Sequence, residues 1–357
     1  MTTHHSKLLD LLGIRIPIIQ APMAGVSSPA MAAAVADGGG LGSLGIGAMT
    51  AGEARNAIRR FRDLSNGSLN MNVFAHRPAR RDHCQETAWL DRLGPEFVRL
   101  GARVPDKLKE PYRSFLVDDD MLAMLVEERP RVVSFQFGLP HQRQIEALHD
   151  AGIVLLATAT NPVEASSIEA AGIDAIIAQG YEAGGHRGVF DPDAEDSCLG
   201  TIALTRVLAR AAGVPVIAAG GIMDGAGTAA VLALGADAAQ LGTAFIATDE
   251  SLADASYRAR LCSGAAHHTE MTRVISGRPA RSLVSRFTHW GKGVPGDSVP
   301  DYPIAYDAGK ALNRAGKAIG QDDYGAQWAG QGAPLVRALS TKALMQALDT
   351  ELAQARS

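Results

Sequence analysis

Thiols, net charge and long apolar runs are all scarce in this chain. Three cysteines, Cys84, Cys198 and Cys262, stand far apart among 357 residues, and no C-x-x-C occurs. An odd, scattered set does not build a disulfide framework or a thiolate zinc site, so ordinary reduced thiols are expected. The formal net charge is −4, which offers nothing to a nucleic acid or an anionic membrane surface. No apolar run reaches 18 residues, so no membrane span is expected. The opening segment MTTHHSKLLDLLGI lacks the uninterrupted apolar stretch of a secretory signal, which gives a cytoplasmic reading. His4 and His5 within it read as a terminal tail. H-E-x-x-H and G-x-S-x-G are both missing, which removes the metalloprotease and serine-hydrolase patterns. His267-His268 has no carboxylate at ligand spacing, so no metal is assigned.

What the chain does have is alternation. Short apolar, β-branched runs fall at 17–23, 41–46, 69–74, 132–137, 153–159, 174–179, 214–219 and 237–243. Most are apolar throughout, as parallel strands buried on both faces must be. Helical stretches separate them at 29–37, 51–64, 141–152, 161–172, 199–213 and 224–236. Ser28-Pro29 opens the first with an N-cap and a first-turn proline, and several stretches end in glycine, a common C-cap. Eight strands alternating with helices predict an α/β TIM (β/α)8 barrel with an additional, mostly helical substrate or lid domain. The barrel is assigned to 1–75 and 130–250, an insertion to 76–129, a lid to 251–333 and a C-terminal helix to 334–357.

Barrel active sites lie at the C-terminal ends of the strands, and phosphate groups bind after strands seven and eight. Here those ends read Gly220-Gly221-Ile222 and Gln240-Leu241-Gly242-Thr243. Glycine lets backbone N–H groups approach oxygen atoms, although each pair can also be no more than a tight turn. Gly40-Leu41-Gly42-Ser43-Leu44-Gly45 matches G-x-G-x-x-G but lies inside a strand signal. It is therefore read as close packing, not as a dinucleotide fingerprint. Strand six runs into QGYEAGGHRG (179–188). His186, in a glycine-rich loop at a catalytic strand end, is the candidate catalytic residue, since imidazole can donate or accept near neutral pH. Arg187 beside it is read as a salt-bridge partner more than an anion ligand.

These segments resemble the nitronate monooxygenases, formerly called 2-nitropropane dioxygenases, and most of all their bacterial class I branch. The matching stretches are 20–45, VVSFQFGLP (132–140), QGYEAGGHRG (179–188), AAGGIMDG (218–225), QLGTAF (240–245), SGRPAR (276–281) and WAGQGA (328–333). The resemblance implies non-covalent FMN in contact with Ala21, Met23, Asn72, Gln179, Gly184, Gly221, Gln240, Leu241, Gly242 and Thr243. It makes His186 the active-site histidine and gives substrate-pocket roles to Tyr112, Tyr257, Tyr302 and Lys310. One departure stands at strand four, where the branch usually reads V-S-F-H-F-G and this chain has Gln136 for the histidine. Glutamine can still hydrogen-bond a nitro oxygen but carries no proton near pH 7.

The implied reaction is FMN-dependent oxidation of an alkyl nitronate, such as propionate 3-nitronate, by O2 to a carbonyl compound and nitrite. A neutral nitroalkane is the other substrate form, with His186 then the candidate base. The alternative on the same scaffold is an FMN-dependent NAD(P)H reductase of the enoyl-acyl-carrier-protein or quinone type. A sugar-phosphate barrel or plain flavin carrier is the third reading. A monomer and a homodimer both remain open.

Overall fold

The computed structural model describes residues 7–357; His4 and His5 lie outside the described residues. All eight expected strands form: β1 (Ile18–Gln20), β2 (Gly42–Gly45), β3 (Leu69–Phe74), β4 (Val132–Gln136), β5 (Val154–Ala159), β6 (Ala175–Gln179), β7 (Val216–Ala219) and β8 (Ala238–Leu241). Each pairs in parallel with its neighbours, and β8 returns to β1 with Ile19 opposite Gln240. A parallel bridge between Ile19 and Leu41 closes the barrel.

Period-two alternation divides each strand between two cores. Val133, Phe135, Leu155, Ala157, Ile176 and Ala178 face outward into the helix layer. Ile19, Leu41, Val132, Leu156, Ile177 and Ile217 face inward. Leu8, Leu9 and Leu12 of α1 (Lys7–Leu12) pack against that inner set and plug its lower end. Above that apolar floor the interior carries the buried polar residues Ser43, Asn70 and Ser134, and Asn72, Gln136, Thr158, Gln179 and Gln240 line the upper mouth.

The helix ring is α2 (Pro29–Asp37), α3 (Ala51–Arg62), α5 (Asp119–Glu128), α6 (Gln142–Asp150), α7 (Pro162–Ala170), α8 (Thr201–Ala211), α9 (Gly225–Ala233) and α14 (Thr341–Ala355). Ser28 caps α2 through Met31 N, with Pro29 in the first turn, as its sequence predicts. Two ring members differ from the sequence-based boundaries. α5, placed in the insertion at 76–129, packs on α3 and α6 and contributes Met121, Met124 and Leu125 to the barrel's outer core. α14, read as a separate C-terminal helix, lies on α9 and α2 and fills the eighth place.

The rest of both inserted regions forms one cap. α4 (His83–Arg99) packs Trp89, Leu93 and Phe97 against Ile275, Phe287, Ile304, Ala308 and Leu312 from beyond residue 251. That second region contains α11 (Ala255–Leu261), α12 (Arg286–Trp290) and α13 (Ile304–Ala318), and a short α10 (Thr243–Ile246) precedes it. A small antiparallel sheet joins cap to barrel: Thr269–Thr272 pairs with Ala280–Leu283, which pairs with Gly185–His186. Among the described residues no helix is long and apolar enough to cross a membrane.

The G-x-G-x-x-G stretch is indeed packing. A Cβ on Gly42 would stand 2.1 Å from the Ala32 carbonyl oxygen of α2. Gly52, exposed in α3, has nothing within 4 Å of its would-be Cβ. Gly42→Ala is expected to destabilise the fold by about 1–3 kcal/mol through overpacking. Gly52→Ala should instead stabilise it by about 0.5–1 kcal/mol through helix propensity. Urea unfolding of both variants checks the opposite signs, and equal effects would refute the packing account.

Candidate active site

At the end of β6 the chain must leave the barrel and meet the cap within a few residues. Glycines make this possible. Gly185 has φ +74, and a Cβ on Gly184 would stand 2.4 Å from the Gly330 nitrogen. Glu182 turns back to accept from the Thr201 N–H and hydroxyl, capping the start of α8. Arg187 is buried and ion-paired to Asp196 at 2.7 Å, the structural role its sequence position predicts. Two amides hold the histidine's own carbonyl: Gln179 Nε2 donates to it at 3.0 Å and Gln136 Nε2 at 3.2 Å. The Gln179 Oε1 accepts from Gly188 N at 2.7 Å. The His186 ring is fixed from the cap, with Nε2 2.9 Å from Ser276 Oγ.

This arrangement opens on a cavity of about 540 Å³ between barrel and cap, the size of a small-molecule or cofactor site. Its barrel side is formed by Ala21, Met23, Asn72, Gln179, Gly184, Gly221, Gln240, Gly242 and Thr243. Its cap side carries Tyr112, Tyr257, Tyr302, Tyr306, Lys310 and Trp328, with Gln136 and His186 also on the wall. Leu241 is the exception among the expected cofactor residues. It is fully buried in the outer core with Met31, Val35 and Leu344, and its carbonyl accepts from Ala21 N. Strand alternation, which points Gln240 inward, necessarily turns Leu241 away.

The barrel side can receive a phosphate-bearing planar group. Gly220 and Gly221 have φ +122 and +72, conformations that exclude a side chain. The loop after β8 leads directly into the short α10, the place where barrels seat phosphate. Gly332 of the WAGQGA segment closes on the first loop, since its Cβ would be 2.6 Å from Gly221 O, and Gly330 N donates to Thr243 Oγ1 at 3.0 Å. Gln240 Oε1 is buried without a hydrogen-bond partner, as an acceptor kept for a ligand would be.

The cap side is aromatic and cationic. Lys310 Nζ lies 4.3 Å from the Tyr112 ring centroid and 5.4 Å from that of Tyr306. Burial lowers its pKa, partly countered by Asp307. Tyr302 is buried with a hydroxyl that has no partner, and its pKa is raised well above the usual value by burial first and then Tyr112 and Tyr306. The Tyr257 hydroxyl donates to the Trp328 carbonyl. His186 packs edge-on to Phe137 at 5.5 Å and lies 5.0 Å from Trp328. Burial, then the Arg278 guanidinium and His76, push its pKa down to about 3. It is therefore a neutral imidazole at physiological pH and a weak base.

Four positions at or behind the cavity wall escape sequence reasoning. Tyr306 was detectable, because it stands four residues before Lys310 on the same face of α13. Ser276 and Arg278 sit in the SGRPAR segment, which signals family but no role. Phe137, with φ +76, has no sequence signature beyond the glycine that follows it.

The family model described as nitronate monooxygenase matches residues 5–351. The nitronate monooxygenase of Paraburkholderia phytofirmans is 59% identical over 352 residues, covering 99% of this chain and 96% of its own. The crystal structure of a nitroalkane oxidase from Streptomyces ansochromogenes is 42% identical with a TM-score of 0.89, covering 98% of both chains. FabK from Thermotoga maritima is 28% identical with a TM-score of 0.75, covering 99% of this chain and 98% of its own.

The buried histidines make a testable demand on stability. His76 is 1% exposed, both of its ring nitrogens lack partners, and burial and then Arg278 push its pKa down to about 3. Above about pH 6.5 neither the folded nor the unfolded state binds the proton, so nothing is lost. Below it the unfolded chain takes up the proton and the folded one does not, so stability falls by up to about 1.4 kcal/mol per pH unit toward pH 3. His76→Phe should leave the urea midpoint at pH 8 nearly unchanged and flatten its decline between pH 6.5 and 4.5. An undiminished slope would show that His76 is not held neutral.

Proposed function

The chain belongs to the nitronate monooxygenase family, and from that premise we propose that it oxidises small alkyl nitronates with FMN and O2 to a carbonyl compound and nitrite. The observation that carries this reading is a cavity with a cation and no strong base. Lys310 and the free Tyr302 hydroxyl offer positive charge and a donor, while His186 is too weak a base to deprotonate a neutral nitroalkane efficiently. A general base works best with a pKa near the operating pH. A nitronate arrives already deprotonated and anionic, so it asks for binding and not for proton abstraction. Propionate 3-nitronate is the representative substrate.

FMN would be held by Ala21, Met23, Asn72, Gln179, Gly184, Gln240 and the two loops containing Gly221 and Gly242-Thr243. The side-chain-free approach at those loops and the unpartnered Gln240 Oε1 suit its phosphate and ring. When bound, the flavin supplies the electron transfer between nitronate and oxygen. The protein's own part is placement. Ser276 and the two glutamine amides fix the ring and backbone of His186, and the neutral imidazole offers a hydrogen bond without a competing charge. Lys310, spread over two tyrosine rings, holds the anionic end. The cap aromatics Tyr302, Tyr306 and Trp328 exclude water, which strengthens each electrostatic contact.

Two experiments bear on this. Anaerobic mixing of the purified yellow protein with propionate 3-nitronate should alter the flavin spectrum at once, and NADH or NADPH should not. Rapid bleaching by a nicotinamide, with the nitronate inert, would make the protein a reductase on the shared scaffold. Separately, Lys310→Met should raise KM for the nitronate at least tenfold with a smaller loss in kcat, as expected for a charge-assisted contact worth about 1.5–3 kcal/mol. Steady-state nitrite release measures both constants, and an unchanged KM would remove Lys310 from substrate binding.

A further inference from the structure

Arg278 is a charge with no counter-charge. It is 3% exposed, its Nε has no hydrogen-bond partner, and its one side-chain bond runs from Nη2 to the Val189 carbonyl. Buried guanidinium groups are ordinarily matched by carboxylates, because an unpaired buried charge is costly. Here the acidic group acting on it most is Tyr302, a neutral phenol at pH 7, and the carboxylates that act after it, Asp193 and Asp191, do not bond it. Asp193 is instead shared among Arg77, Arg80 and Arg273. The guanidinium rests on Phe137, with Cζ 4.4 Å from the ring centroid. Among the other contacts of that ring, His186 at 5.5 Å and Tyr302 at 5.3 Å line the cavity. Phe137 takes up this place at a backbone φ of +76, a conformation a bulky residue adopts only when its surroundings impose it.

We propose that Arg278 is a specificity-determining positioning residue: a fixed positive charge sealed behind Phe137 that biases the cavity toward anionic over neutral occupants. The missing negative charge is brought by the occupant. The same cation disfavours protonation of both His186 and His76, so it, and neither histidine, carries the positive charge on that wall. Burial lowers its own pKa only to about 10, which leaves it charged at neutral pH. Its action differs from that of Lys310, because it lies outside the cavity lining and reaches the occupant only through the field. The inference rests on the nitronate reading for the identity of the anion alone.

The test is the ratio of two affinities in the intact protein. Nitrate is the planar anionic probe and nitroethane at pH 6 the neutral one, both titrated calorimetrically under anaerobic conditions. A unit charge about 10 Å away at an effective dielectric near 20 is worth on the order of tenfold in binding. Arg278→Met is therefore expected to lower the nitrate-to-nitroethane affinity ratio roughly tenfold, and Arg278→Lys to keep it. Arg278→Gln, which retains a donor for Val189, should match Arg278→Met and serves if the latter does not fold. An unchanged ratio in the neutral variants, or equal loss for both probes, would overturn the proposal, as would loss of the ratio in a folded Arg278→Lys protein. A wild type that releases no nitrite from nitronate would defeat the functional reading and still leave this ratio measurable.

Discussion

The site depends on one piece of backbone pairing. Ala280 and Arg281 of the cap lie antiparallel to His186 and Gly185, and Arg187 N continues the contact to Pro279 O at 2.8 Å. Without it the loop after β6 would be a glycine-rich excursion with little to hold it, and fixing so flexible a segment carries a large entropic cost. With it, the loop becomes an edge strand of the cap. Cap and barrel then cannot separate without breaking the histidine's position, so cavity closure and histidine placement are one event. Arg281 reinforces the joint by donating to Tyr181 O from both Nε and Nη2.

That joint also sets the electrostatics. Pinning the loop under the cap buries His186 beside Arg278 and His76, and burial is the leading cause of its weak basicity. A histidine in an open glycine loop suggests acid–base catalysis; the same histidine sealed under a cap suggests a neutral hydrogen-bonding wall. The cavity's positive character then comes from Lys310 within it and Arg278 behind it. The chain's net charge of −4 gives no hint of this, because a site's field is local and low in dielectric.

The barrel was legible because its signals are periodic. Strands such as Val154–Ala159, buried along their whole length, betray themselves as unbroken apolar runs. Boundaries that depend on the whole ring were not legible. α5 follows the excursion over residues 75–118 and α14 follows the entire second insertion, and only three-dimensional closure shows that both fill ring places. Of the residues that motif transfer names, all but Leu241 line the cavity; strand alternation turns the Leu241 side chain into the outer core. Chemistry that arises between distant segments, such as Ser276 on His186 or Arg278 on Phe137, has no spacing to read.

Gln136 shows why residue identity alone misleads. From sequence it is a substrate-pocket position where the family histidine is replaced by a residue that can still donate to a nitro oxygen but carries no proton near pH 7. In the structure one of its amide hydrogens goes to the His186 carbonyl, where it joins Gln179, so the two amides occupy both lone pairs of a single oxygen. A histidine at this position would stand in the same enclosure as His186, subject to the same burial and the same nearby cation, and would add a second weak base with little to gain from it. An amide gives the loop the donor it needs and introduces no titration. The departure therefore leaves Gln136 on the cavity wall and adds to that place a second task, the support of His186.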